Sequence, residues 1–150
     1  MKNLFELSTV HNVKGRLTHL TPDSQRLWGK MNVAQAVAHC SMAFELAAGE
    51  RRPPRAFLGR IIGRWIKPMV LRGDEPMRRN SPTVKGLIIE DQRNLDAERE
   101  LLYQKIDHFA AAGPNGCTTH PHSFFGQLTP EEWAVLMYKH LDHHLRQFGA

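Results

Sequence analysis

Two of the nine histidines, His140 and His144, stand four residues apart inside TPEEWAVLMYKHLDHHLRQF, which runs from Thr129 to Phe148. Side chains at this spacing stack on one face of a helix. Two imidazoles so placed can aim ring nitrogens at one point, which is what a divalent cation needs. The segment carries its own helix-start signal, with Thr129 as cap, Pro130 at the first helical position and Glu132 three residues after the cap. At about 100° per residue the pair falls within the apolar stripe, beside Trp133 and Met137 and between Leu136 and Phe148. Glu131, Lys139, Asp142 and Arg146 fall on the other side. Imidazoles at core-facing positions need partners. A metal ion would satisfy both rings at once; alternatively, one ring hydrogen-bonds within the core while the other reaches water at the helix end.

A third histidine sits on an earlier helix. Asn32 and Gln35 form a capping box, Val33, Ala36, Val37, Cys40, Ala43, Phe44 and Ala47 form the apolar stripe, and Gly49 supplies the stop. His39 stands at the edge of that stripe near Ala36, Ala43 and Leu46, and the small alanines let another helix approach closely. Taken singly it reads as a core or rim residue, and Cys40, turned away from it, as small core filler. His11 and His19 read as solvated. His120 and His122, in the loop before the last helix, read as contacts near the bundle end and not as ligands, and the pair Phe124-Phe125 as closing the core.

The elements that must position these residues are helical. Leu4, Leu7, Val10, Val13, Leu17 and Leu20 recur every three or four residues and predict a first helix over 4–20. A turn-rich connection over 21–31 follows, with Trp28 expected in the core. The stretch 91–112 predicts another helix, with Leu95, Leu101, Leu102, Ile106 and Phe109 inward and Gly113-Pro114 as the stop. Between Arg51 and Arg79, nine basic residues meet only two acidic ones, a local net of +7 in a chain whose total is +5. Within it RAFLGRIIGRWIKPMVL predicts a short basic amphipathic helix ending near Pro68. Three readings of that helix stand: a lid packing its apolar side on the bundle, an arginine-rich mouth for an anionic substrate, or a binder of a membrane surface or nucleic acid. No recognition motif supports nucleic acid. The Arg72-Gly73-Asp74 tripeptide reads as chance.

Composition bounds the rest. The chain's 150 residues, 41% hydrophobic and 23% charged, suit one globular domain over 1–150. No run of 18 apolar residues occurs, so no membrane span is expected. The polar amphipathic N-terminus lacks an apolar signal core, and the two cysteines, Cys40 and Cys117, suit reduced thiols; the expected compartment is the cytoplasm.

Three blocks carry a resemblance. HLDHHLRQ (140–147) resembles the terminal histidine motif, ending in HRGQ, of the DinB/YfiT-like superfamily of metalloenzymes. WGKMNVAQAVAHC (28–40) is similar to that family's Trp-then-helix segment ending in a ligand histidine. HSFFGQLTPEEWAVLMYKHLDHHLRQFG (122–149) resembles one DinB-like branch. The family's arginine and glycine positions are Leu145 and Arg146 here, whereas Gln147 matches. The resemblance implies an all-α four-helix bundle with a long crossover between its second and third helices, which here carries the extra amphipathic segment. It implies one divalent metal held by His39, His140 and His144, and imidazole nitrogen suits zinc, nickel or iron. Gln147, which matches the motif and lies beside the pair, reads as supporting a ligand or touching substrate. His143, by its angle on the helix, reads as orienting a ligand, lining the pocket or facing solvent. The resemblance also implies hydrolysis or low-molecular-weight thiol transfer on a small-molecule substrate, with such a thiol as co-reactant, and a homodimer. A non-catalytic metal- or ligand-binding protein is the alternative from the same residues, and a basic peripheral membrane binder through 55–70 is another.

Overall fold

A computed structural model describes every residue except Asp74, and the backbone alone for Lys85; the Arg72-Gly73-Asp74 tripeptide therefore lies partly outside the described residues. The described chain is all-helical. Helices α1 (Leu7–Leu17), α2 (Val33–Ala47), α3 (Phe57–Leu71), α4 (Leu95–Ala112) and α5 (Pro130–Gln147) are joined by loops, with 3-10 turns at Lys85–Leu87 and Gly113–Gly116. No strand occurs among the described residues, only an isolated antiparallel bridge between His122 and Gly126. No described helix is long and apolar enough to cross a membrane.

The helix ends follow the local chemistry. Asn32 accepts from the Gln35 N–H while the Gln35 side chain accepts from the Asn32 N–H, and Thr129 and Glu132 do the same for α5. Each box satisfies two N–H groups that a helix start leaves orphaned. Gly49, at φ +77°, turns the chain away after α2, a left-handed conformation that only glycine takes without a steric penalty. Helix α1 begins later than its periodicity predicts. The Leu4 N–H donates to the Ala134 carbonyl of α5 at 3.2 Å, which ties the leading residues to a neighbour instead of to a helical turn.

Helices α4 and α5 each pack against both α1 and α2, and α3 lies on α5. The core between them holds Leu4, Val13 and Leu17, the α2 stripe of Val37, Cys40, Phe44 and Ala47, Leu102 and Ile106 of α4, and Trp133, Leu141 and Leu145 of α5. Leu7 and Leu101, expected inward, are exposed. Lys139 and Asp142, expected on an outer face, are buried. Asp142 is held by Arg16 and Arg146, both at 2.7 Å, and the Lys139 ammonium donates to the carbonyls of Gly73 and Glu75 in the α2–α4 crossover. The middle of the polar side of α5 thus faces protein, covered by α1 and by the crossover, while Glu131 and Arg146 remain exposed.

Helix α3 departs most from expectation. It runs through Pro68 to Leu71, losing one helical hydrogen bond at the proline. It packs only part of its apolar side on the bundle: Leu71 is buried and Val70 lies against the core, whereas Phe57, Leu58, Ile61, Trp65 and Met69 are exposed. The buried residues near its middle are Gly59 and Gly63, pressed against the backbone of Phe124 and Phe125. A Cβ on Gly59 would stand 2.6 Å from the Phe124 carbonyl oxygen, and one on Gly63 closer still. Backbone-to-backbone seating of this kind leaves no room for a methyl. Gly59→Ala and Gly63→Ala should each destabilise the protein by about 1–3 kcal/mol in urea unfolding. Gly15→Ala, in α1 with nothing within 4 Å of the new Cβ, should stabilise it by up to about 1 kcal/mol.

Candidate metal centre

His39 from α2 and His140 and His144 from α5 converge. Their ring centroids form a nearly equilateral triangle, 4.8 Å from His39 to His140, 4.9 Å from His39 to His144 and 4.8 Å from His140 to His144. One ligand-capable nitrogen from each lies within 4.8 Å of the other two. His39 is buried, and the other two rings are partly buried. The α2 stripe of small residues permits this approach, because Ala36 and Ala43 flank His39 one turn away on either side.

Hydrogen bonds assign the tautomers of two rings. His39 Nδ1 lies 2.7 Å from the Leu87 carbonyl, which can only accept, so Nδ1 carries the proton and Nε2 presents a lone pair. For His144 a relay does the same. The Gln147 amide nitrogen donates to the Trp28 carbonyl at 2.7 Å, which leaves the amide oxygen to accept from His144 Nδ1 at 2.8 Å. His144 Nε2 is then the free nitrogen. His39 Nε2 and His140 Nε2 face each other at 2.9 Å. Either His140 donates a proton across that gap or a cation lies between two lone pairs. Tetrahedral zinc with bonds of about 2.0–2.1 Å separates neighbouring ligand nitrogens by about 3.3 Å, so modest ring movement would admit an ion.

Electrostatics keep these rings neutral. Burial pushes His144 down to about 3, helped by the neighbouring His39. Burial also drives His140 well below its ordinary value, with His39 and His144 adding to the effect. His39 is lowered by burial despite its bond to Leu87. Neutral imidazole is the form that binds metals.

Gln147 is where the sequence places it, bonded to His144, and Gly29 explains part of how. At φ +80°, with the position of its missing Cβ taken up by the Gln147 amide nitrogen, Gly29 leaves space that any other residue would fill. His143 does not join the triangle. Its ring meets the Trp28 edge at 5.5 Å and hydrogen-bonds the Met77 backbone. Trp28 is not a core plug; it is half-buried between His143 and Arg79, whose guanidinium lies 4.3 Å from its ring centroid. The described cluster includes neither His120 nor His122. His122 caps a turn instead, with Nδ1 accepting the N–H groups of Phe124 and Phe125. His11 and His19 are exposed. Both thiols are free, and burial raises Cys40 and also Cys117, the latter to about 11.

Sequence reasoning missed the Leu87 carbonyl, because a main-chain acceptor has no residue signature, and it missed the stacking of Arg79 on Trp28 beside His143. The adjacent Trp28-Gly29 was the available signal.

Residues 4–150 match a family model described as Protein of unknown function (DUF1569). The chain belongs to the DUF1569 family. No curated protein matches it, and no solved structure does.

The neutral rings make this DUF1569 chain acid-sensitive. Below pH 6.5 the unfolded chain takes up protons that the buried imidazoles refuse, so stability is full above that value and falls as pH drops toward the folded pKa of each ring. For His144 the loss in metal-free protein should reach about 2 kcal/mol by pH 5. Urea midpoints at pH 7, 6 and 5 in chelator should fall in that order, and His144→Gln should flatten the trend.

Proposed function

We propose that this protein binds one divalent cation through His39, His140 and His144 and uses it as a metal-dependent hydrolase or low-molecular-weight thiol transferase. The carrying observation is the triangle of rings from two helices, with the outer nitrogens of His39 and His144 committed to Leu87 and Gln147. Metal-ligating histidines commonly hand their second nitrogen to a carbonyl in this way, which fixes orientation and raises basicity. Three neutral nitrogen ligands leave coordination positions for water or substrate, the arrangement of catalytic sites and not of closed structural ones. The bound ion would supply an acidified water or thiol and polarise a carbonyl. The donor set suits zinc, nickel or iron. Gln147 and Gly29 would position His144, and His143 with Trp28 would wall the approach.

The packing of α4 and α5 against both α1 and α2 supports the reading of those four as a DinB-like bundle, with α3 carried on the crossover. One observation favours the alternative of a metal- or ligand-binding protein without turnover. The described three-histidine cluster contains no carboxylate, Asp142 is held by Arg16 and Arg146, and Glu45 pairs with Arg51 and Lys105. Neither of these carboxylates is therefore free to act as a base, which leaves proton transfer to the ion's own ligands or to the neighbouring His143 ring.

Elemental analysis should find about one divalent ion per chain, and His39→Ala, His140→Ala and His144→Ala should each abolish it. Gln147→Leu should keep the fold and weaken metal affinity about 10–100-fold. Wild-type protein that takes up no zinc, nickel or iron(II) in titration would sink the metal reading. If it binds metal but turns over no ester or thiol substrate in a screen, the binder remains.

A further inference from the structure

The outward face of α3 is apolar. Phe57, Ile61, Trp65 and Met69, each four residues from the next, are 79%, 53%, 65% and 75% exposed, and Leu58 beside them is 54% exposed. The face opposite is the glycine seat on Phe124, so these side chains point away from the protein with no described element over them. A contiguous apolar stripe of this length on a monomer marks a surface that meets something.

The charges around the stripe indicate what. Residues 51–73 contain seven arginines and lysines and no acidic residue. Arg51 and Lys67 are neutralised by Glu45 and Glu132, but Arg60 and Arg64 are exposed without a carboxylate partner among the described residues. At about 100° per residue both sit along one border of the stripe, and Arg64 lies over the Trp65 ring at 4.9 Å. A second copy is a poor occupant: α3 against α3 would bring uncompensated arginines together with no acid on either helix. An anionic bilayer meets both halves of the pattern, since acyl chains accept Phe, Trp, Leu, Ile and Met side chains while arginines reach lipid phosphates.

We infer that α3 docks this protein on anionic lipid surfaces, lying in the headgroup plane with Phe57, Ile61, Trp65 and Met69 inserted and Arg60 and Arg64 on phosphates. The helix is prebuilt for this. Its glycine seat holds it folded before contact, so docking does not pay for helix formation. The inference stands on α3 alone and is independent of the metal centre.

Vesicle sedimentation tests it with the full-length protein. Wild type should pellet with vesicles of phosphatidylcholine mixed with phosphatidylserine, and weakly or not at all with phosphatidylcholine alone. Raising salt should release it. Ile61→Glu with Trp65→Glu should abolish binding, and Arg60→Ala with Arg64→Ala should weaken it at least about tenfold. All four substituted residues are exposed, so melting temperature should be unchanged in both variants. The blue shift of tryptophan emission on binding should vanish in Trp65→Phe. Failure of wild type to bind anionic vesicles at low salt overturns the inference, as does equal binding to both vesicle types or undiminished binding by Ile61→Glu with Trp65→Glu. A vesicle-free dimer that this double variant splits into monomers would assign the face to a second copy instead.

Discussion

Three neutral imidazoles meeting at one point inside a protein impose a bookkeeping of protons. Each ring has one N–H and one lone pair, and a buried polar nitrogen without a partner is costly. Here the outer N–H groups of His39 and His144 donate to the Leu87 carbonyl and the Gln147 amide oxygen, so both lone pairs turn inward. Desolvation prevents escape by protonation, because it disfavours the charged form. The interior of the triangle is consequently rich in lone pairs, which is a demand for a cation or for a shared proton.

Much of that arrangement depends on chain outside the main helices. The crossover from α2 to α4 supplies Leu87 at its 3-10 turn, the Met77 backbone for His143 and Arg79 for the Trp28 ring. It is anchored to α5 by Lys139, whose ammonium holds the Gly73 and Glu75 carbonyls. The segment before α2 contributes the Trp28 carbonyl that orients Gln147, and the Leu27 N–H donates to the Gln147 main-chain carbonyl at 2.7 Å. Two irregular segments are thus tied to the same helix that bears two of the rings. Disturbance of the crossover reaches His39 through one hydrogen bond, and disturbance of the segment before α2 reaches His144 through the two bonds of the Gln147 relay.

The orientation of α3 follows from the same reliance on backbone contact. A helix usually docks by burying large side chains, yet α3 docks by glycines that bring its main chain against that of Phe124. Phe57, Ile61, Trp65 and Met69 then have no inner surface to fill and are left facing outward, while Leu71 is buried at the helix end. Its amphipathic pattern therefore describes an external environment and not the core.

The sequence by itself determined the helical class, the starts of α2 and α5, and the candidacy of His140 and His144, because capping boxes, apolar periodicity and i, i+4 spacing act over a few residues; His39 and Gln147 became candidates through the resemblance. The resemblance added the pairing of His39 with the other two, which no local pattern contains. Tertiary structure decided the rest. Whether Lys139 and Asp142 face solvent depends on what covers α5, and neither the crossover nor Arg16 announces its destination. Which nitrogen of His39 holds the proton depends on a carbonyl 48 positions away, and main-chain atoms leave no trace in residue type. Which side of α3 faces inward depends on whether its neighbour offers side chains or bare backbone, a choice made only when the two surfaces meet.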